Sequence, residues 1–434
     1  MPRELSVALS SRGVERKYFG TDGVRGVVGE SLTVELVERL GRASALWCGR
    51  GRVFIGRDTR ASGVELEEAF ARGVASAGGA AVLAGVLPTP AVALLRLDLG
   101  VVITASHNPP EYNGVKFFDR MGGKLSDAAE EEIEALLDEP PRGGGEIDRI
   151  GVASDSYLEH VLERFGTDLS GLRIAVDCAN GAYAGLAPQA FEQLGAEVTA
   201  IGNAPDGTNI NVGCGATDLR ALAEVVREGG LDFGIAFDGD GDRMLAVDET
   251  GAALDGDQIL AILALALGVD TVAVTSMTNL GFHRLMEERG VRVVTTDVGD
   301  RYVLEALRRE GALLGGEQSG HILWLDGQVT GDGLVAALLL CRALDGRRLS
   351  EAAAVMPRFP QVVRNLPRTG RGPLPDSLLA QVAAVNEELA GRGRGLVRPS
   401  GTEPVVRVLA EAESSEEAES LCASLAALVT HELG

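Results

Sequence analysis

The sequence predicts an α/β fold with mainly parallel sheets. The first observation behind this is a set of short β-rich runs: VVITAS (101–106), LRIAVD (172–177), FGIAFD (233–238) and TVAVTS (271–276). They are continuous and β-branched, as strands covered on both faces are. The second is the helical pattern between such runs. Leu36, Leu40, Ala43 and Trp47 recur at helical spacing and put one apolar face on a helix. Residues 127–138 read as another helix, with acids in its first turns that complement the helix dipole. The third is length. At ~150 residues per domain, 434 residues give about three domains, or four small ones. Alternating strands and helices then imply layered βα units.

Punctuation divides the chain. EPPRGGGEIDRIG (139–151) is rich in Pro and Gly and reads as a linker. A second βα block runs to about residue 257 and a third to about residue 364. LPRTGRGPLPD (366–376) is another linker. The remainder holds a helix, a strand pair around 404–412 and a final helix. The expected units are 1–150, 151–257, 258–365 and 366–434. The three βα blocks are similar in size, as structural copies would be.

Composition narrows the class. Asp and Glu number 63 against 40 Lys and Arg, a formal charge of −23, which leaves no overall basic footprint for nucleic acid. The longest apolar run, 259–269, falls short of the ~20 residues of a membrane span. The start, MPRELSVALSSR, lacks the apolar stretch of a signal peptide. Five cysteines without a CxxC pair make no disulfide framework. The expectation is a cytoplasmic protein with neither nucleic-acid nor membrane partners.

DGDGDR (238–243) is the strongest chemical signal. Asp238, Asp240 and Asp242 alternate with glycines directly after a buried strand. Alternate residues of an extended chain point the same way, and the glycines let the backbone curl. Three hard oxygen ligands suit Mg²⁺ or Ca²⁺. An EF-hand would need glycine at its sixth loop position, where Arg243 stands, and helical flanks where strands are expected. Three carboxylates leave open positions on Mg²⁺, so a phosphate is the expected partner.

TASHNPPEYNGVKFF (104–118) puts Ser106 at the carboxyl end of a strand, where open α/β sheets bind ligands. His107, Asn113 and Lys116 crowd it. No GxSxG elbow surrounds it, so hydrolase chemistry is not indicated. Beside a Mg²⁺ site the serine reads as a phosphate carrier, whose charge the ion screens. RPSGTEPVVR (398–407) reads as a phosphate cradle. Ser400, Gly401 and Thr402 offer backbone N–H groups and hydroxyls, and Arg398 and Arg407 add forked donors. A Walker A loop is absent, because Gly122-Gly123-Lys124 is followed by Leu125. GGEQSGH (315–321) packs a carboxylate, a hydroxyl and an imidazole between glycines, suited to sugar hydroxyls or an amine. FGTDGVRG (19–26) is a further Gly-rich loop carrying Arg25.

Taken together, these segments resemble the α-D-phosphohexomutase family. TASHNP, DGDGDR, GEQSGH and RPSGTEP stand in family order, and the match is collinear from residue 19 to about residue 412. GTDGVRG, DCANGA, PDGTNIN, VGDRYV and GGEQSGH are most similar to the bacterial branch acting on glucosamine phosphates. One departure is Tyr112, where that branch usually carries Asp. The resemblance implies three similar α/β/α domains with mixed sheets and a smaller α+β C-terminal domain. It implies a heart-shaped molecule in which each domain lends a loop to a central cleft.

The implied activity interconverts glucosamine 6-phosphate and glucosamine 1-phosphate through phosphorylated Ser106 and a hexosamine 1,6-bisphosphate. One Mg²⁺ would sit on Asp238, Asp240, Asp242 and a Ser106 phosphate oxygen. Lys116 and His321 become acid/base candidates, with Arg243 and Arg25 assisting. Glu317, Ser319 and His321 would grip the sugar. Arg398, Ser400, Gly401, Thr402 and Arg407 would hold the non-reacting phosphate, and a hinge at 366–376 would give the bisphosphate room to turn. A monomer or homodimer is expected. The alternatives are a mutase of the same family acting on glucose or mannose phosphates, and a non-catalytic sugar-phosphate sensor.

Overall fold

The computed structural model describes residues 17–20, 22–368, 373–399 and 405–433. Three successive sheets repeat one plan. In the first, Ala80–Val86, Arg52–Arg57 and Leu99–Ile103 lie parallel in that spatial order, and Tyr112–Phe118 closes antiparallel on Leu99–Ile103. In the second the same places are taken by Glu197–Ile201, Arg173–Asp177, Phe233–Phe237 and the antiparallel Met244–Asp248. In the third they are taken by Arg292–Thr296, Thr271–Thr275, Leu314–Gly316 and the antiparallel Ile322–Trp324. Each copy therefore has its strands ordered second, first, third, fourth. Val24–Val27 and Glu146–Arg149 extend the first sheet, and Ala253–Leu254 extends the second.

Parallel pairings form the body of these sheets, as the alternation of strands and helices predicts, and one antiparallel strand closes each copy, as the resemblance implies. The last connection in each copy is a polar loop too short to carry a crossover helix. A short connection joins antiparallel neighbours, so each sheet is mixed. The plan also sets where chemistry sits. The third-to-fourth hairpin carries Ser106 in the first copy, residues 238–243 in the second and residues 317–321 in the third.

The fourth sheet is antiparallel, with Val405–Ala412 between Gln361–Pro367 and Gly393–Pro399. It begins at Gln361, ahead of the Pro/Gly segment that suggests a division at residue 366. The other segment read as a linker contains the edge strand Glu146–Arg149. All four of its residues are exposed, so no hydrophobic alternation could announce it. Its approach depends on Gly145, where a Cβ would lie 2.2 Å from the Gly79 carbonyl oxygen.

One core runs through the first three units. It joins Phe54 and Val102 of the first sheet to Phe237 of the second and Val274 of the third. The helix Gly333–Leu344 is buried at every residue except Arg342 and lies in this core. Asp332 caps it by accepting from the Leu334 and Val335 N–H groups. The same carboxylate accepts from the Tyr157 and Tyr183 hydroxyls, 2.8 and 2.9 Å away, and from Gln328. The fourth unit has a separate core around Leu378, Val406, Val408 and Leu425. It docks on the third through Arg394, which donates to the Thr278 carbonyl, through Glu411, which accepts from the Leu280 N–H, and through Gln361, which donates to the Met277 carbonyl. No helix among the described residues is long and apolar enough to cross a membrane.

Candidate active site

Ser106 lies three residues beyond the strand Leu99–Ile103, in a turn with a left-handed backbone, φ 52°. L side chains seldom adopt this conformation. It is held here because the Ser106 N–H donates to Thr104 Oγ1 (2.9 Å) while its carbonyl oxygen accepts from Arg60 and Asn211. The side chain is buried, and its hydroxyl donates to Asp238 Oδ2 at 2.6 Å. His107 Nδ1 is 3.3 Å from the same hydroxyl. Burial, with Arg243 and Arg25 nearby, pushes the His107 pKa down to about 4, so this ring is neutral near pH 7.

The predicted carboxylates converge. Asp238, Asp240 and Asp242 are buried and each offers an oxygen within 4.8 Å of the others. Their donors leave particular oxygens over. Asp238 Oδ1 accepts from the Gly241 and Arg243 N–H groups. Asp240 Oδ2 accepts from Thr89 Oγ1 (2.6 Å) and Lys116 Nζ (2.7 Å). Asp242 Oδ2 accepts from Lys116 Nζ at 3.0 Å. Asp240 Oδ1 and Asp242 Oδ1 are buried with no hydrogen-bond partner among the described residues. Burial and the charges of Asp242 and Asp240 hold the Asp238 pKa well above the usual carboxylate range. Hard oxygens, two of them orphaned, in a nest of mutual repulsion fit a small divalent cation.

Lys116 enters from the antiparallel strand Tyr112–Phe118, in register with Val102. Burial opposes its charge, but Asp22, Asp240 and Asp242 outweigh burial and hold the ammonium well above its ordinary pKa. From Lys116 a line of alternating charge crosses the cleft. Asp22 Oδ2 lies 3.3 Å from Lys116, and Asp22 Oδ1 lies 2.5 Å from Lys124 Nζ. Lys124 also pairs with Asp300 Oδ2 at 2.6 Å, and that oxygen is 3.5 Å from His321 Nε2. Arg25 pairs with Asp22. His321 is buried, with no hydrogen-bond partner on Nε2 among the described residues. Glu317 accepts from the Gly299 N–H at 3.1 Å, and burial together with Asp300 raises its pKa.

All four units meet at a cavity of about 550 Å³. Asp22, Arg25, His107 and Lys124 line it from the first unit, and Asp242 and Arg243 from the second. Asp300, Glu317 and His321 line it from the third, and Arg398 and Arg407 from the fourth. Ser319 is exposed, in the same hairpin as Glu317, and is not among the lining residues. Ser400, Gly401 and Thr402 lie outside the described residues. A separate cavity of about 610 Å³, between residues 168–172 and 346–349, holds none of the predicted site residues.

The geometry has parallels. Residues 16–142, 155–251 and 255–359 match the α/β/α domains I, II and III of phosphoglucomutase/phosphomannomutase, and residues 344–428 match the C-terminal domain. A phosphoglucosamine mutase from Moorella thermoacetica is 50% identical over 94% of this chain and 98% of its own length. The chain belongs to the phosphoglucosamine mutases. A phosphoglucomutase/phosphomannomutase family protein from Burkholderia thailandensis superposes with a TM-score of 0.82 at 26% identity, covering 95% of this chain and 96% of that one. The Aspergillus fumigatus N-acetylphosphoglucosamine mutase, solved with GlcNAc-6P and magnesium, shares the fold. Its TM-score is 0.69 at 20% identity, over 96% of each chain.

Against this phosphoglucosamine mutase framework, several site residues escaped the sequence reading. Asp22 and Asp300 lie inside the quoted segments FGTDGVRG and VGDRYV, but nothing local marks them as ion-pair partners. Lys124 appears in the sequence only as part of a failed Walker motif. Thr89 and Arg60 have no sequence signal of their own, because Asp240, and the Ser106 turn that Arg60 holds, are more than 40 residues away.

Proposed function

We propose that this cleft interconverts glucosamine 6-phosphate and glucosamine 1-phosphate through phosphorylated Ser106 and glucosamine 1,6-bisphosphate. The observation that carries the reading is the 2.6 Å contact between Ser106 Oγ and Asp238 Oδ2. It sets a hydroxyl of the first unit against the carboxylate cluster of the second, beside a cavity that the other two units close.

Asp238, Asp240 and Asp242 would hold one Mg²⁺, which when bound supplies positive charge to the oxygens of a transferring phosphoryl group. In the first transfer the phosphorus–Oγ bond of phosphoserine breaks as a bond to the free sugar hydroxyl forms. The hydroxyl proton passes to a base on the protein. His321 suits that role, since it lines the cavity with Nε2 3.5 Å from Asp300 Oδ2. Lys116, held as an ammonium by three carboxylates, supplies positive charge rather than a base. After the bisphosphate turns over, its other phosphoryl group returns to Ser106 Oγ, and the departing sugar oxygen takes back a proton.

Arg398 and Arg407, with Ser400, Gly401 and Thr402, hold the phosphate that is not reacting. Glu317 meets the sugar amine, and Ser319 meets a hydroxyl. Arg25 and Arg243 line the cavity where charge develops. The test is turnover of glucosamine, glucose and mannose phosphates in parallel, with catalytic 1,6-bisphosphate added and mass spectrometry of Ser106. Preference for glucosamine phosphate, phosphate on Ser106 and loss of turnover in Ser106→Ala are expected. Full turnover in Ser106→Ala would overturn the reading, and binding without turnover in the wild type would make the protein a sensor.

A further inference from the structure

We infer that Arg60 and Asn211 are positioning residues that clamp the Ser106 loop from behind. The inference rests on the function proposed above. Arg60 has a side chain with no exposed surface, and all five of its guanidinium N–H donors are used. Nε donates to Asp58 Oδ2 at 2.9 Å. Nη1 donates to the carbonyl oxygens of Pro109 and of Tyr112, the latter at 2.9 Å. Nη2 donates to the carbonyl oxygens of Ser106 (3.0 Å) and Asn108 (2.8 Å). One planar fork thus gathers four carbonyls of a single turn.

Asp58 completes the clamp. Its Oδ2 accepts from Thr104 Oγ1 at 2.7 Å, and Thr104 Oγ1 accepts the Ser106 N–H. The second unit adds a further hold. Asn211 Nδ2 donates to the Ser106 and Asn108 carbonyls at 2.9 and 3.2 Å. Gly239 makes room for this, since a Cβ there would lie 2.7 Å from the Ser106 oxygen and 2.8 Å from Asn211 Nδ2.

None of these donors touches the serine hydroxyl. Their effect is on the backbone, which they hold in the left-handed conformation that aims Oγ at Asp238. A relaxed turn would move the hydroxyl off the carboxylate cluster while leaving the sugar and phosphate contacts in place. The clamp therefore acts on the chemical step and not on substrate binding. It also makes the second unit, which carries the carboxylates, a direct setter of the nucleophile's position.

The test uses the full-length chain and the variants Asn211→Ala and Arg60→Lys. It measures steady-state kinetics, the thermal midpoint and single-turnover transfer from radiolabelled phosphoserine enzyme to glucosamine 6-phosphate. Asn211→Ala is expected to lower kcat and the single-turnover rate together by about 100-fold, the cost of a ~1 Å misplacement, with KM within about twofold. Arg60→Lys keeps the charge but not the fork and should lose at least as much. Should Arg60→Lys fail to fold, Asn211→Ala decides alone. An unchanged kcat in Asn211→Ala beside an active wild type overturns the clamp, as does a KM that rises in step with the fall in kcat. A wild type without turnover overturns the functional reading and the clamp with it.

Discussion

Arg398 and Arg407 stand directly opposite each other across the last hairpin. Burial and the Arg407 charge lower the Arg398 pKa. Like charges directly opposite on a sheet are destabilising, and an anion between them relieves the strain. Inorganic phosphate and sugar phosphates should therefore raise the thermal midpoint. Binding at 100 times Kd is worth about 2.7 kcal/mol. Arg398→Ala should remove most of that shift and raise KM about 10- to 100-fold, as the loss of a charged hydrogen bond predicts. Calorimetry with and without phosphate, alongside KM, checks both. A full phosphate shift in Arg398→Ala would place the phosphate elsewhere.

Thr89 and Asp240 give a graded test of the metal site. Asp240→Asn removes one of three converging carboxylates and should abolish Mg²⁺-dependent turnover. Thr89→Val removes only the hydroxyl that orients Asp240 Oδ2. Losing such a supporting group costs about 10- to 100-fold in metal affinity or activity. Titrating activity with Mg²⁺ after chelation separates the two. Thr89→Val should recover at high Mg²⁺, and Asp240→Asn should not.

Asp257 makes stability fall with pH. Burial and the neighbouring Asp255 charge raise its pKa to about 7 in the folded chain. A raised carboxyl pKa means that the folded state binds the proton more tightly than the unfolded state. Its contribution is complete below the unfolded value of ~4 and is lost as pH rises through about 7. The slope reaches at most about 1.4 kcal/mol per pH unit in that window. Asp257→Asn still accepts the Asn279 N–H and should flatten the slope between pH 4 and pH 7, read as thermal midpoint against pH.

The Tyr183 hydroxyl should matter to stability beyond its ring. It donates to Asp332 at 2.9 Å and lies 2.6 Å from the Tyr157 hydroxyl. Tyr183→Phe keeps the ring against Phe237 and Gly241 and removes one hydrogen bond to a buried carboxylate. The expected cost is about 1.5–3 kcal/mol in denaturant unfolding. Because Gly241 packs on this ring inside the metal loop, kcat should fall modestly as well.

What the sequence by itself determined was local. Continuous apolar runs and helical periodicity are written in neighbouring residues, so the strands Phe233–Phe237 and Thr271–Thr275 and the helix Val34–Trp47 were legible. The DGDGDR spacing needs only one curled loop to bring three carboxylates together, so Asp238, Asp240 and Asp242 were legible too. The start of the fourth unit was not, because its first strand, Gln361–Pro367, is exposed or half-buried throughout and runs ahead of the Pro/Gly segment. The tertiary structure alone decided which charges meet. Lys116 finds Asp240 and Asp242 across two units, Lys124 joins Asp22 to Asp300, and Arg60 gathers the carbonyls beneath Ser106. A polar side chain carries no periodicity, and its partner is set by the packing of distant hairpins. The overall charge of −23 likewise says little about the ligand, since what faces it is the arrangement that folding makes of Arg25, Lys124, Arg243, Arg398 and Arg407 around one cavity.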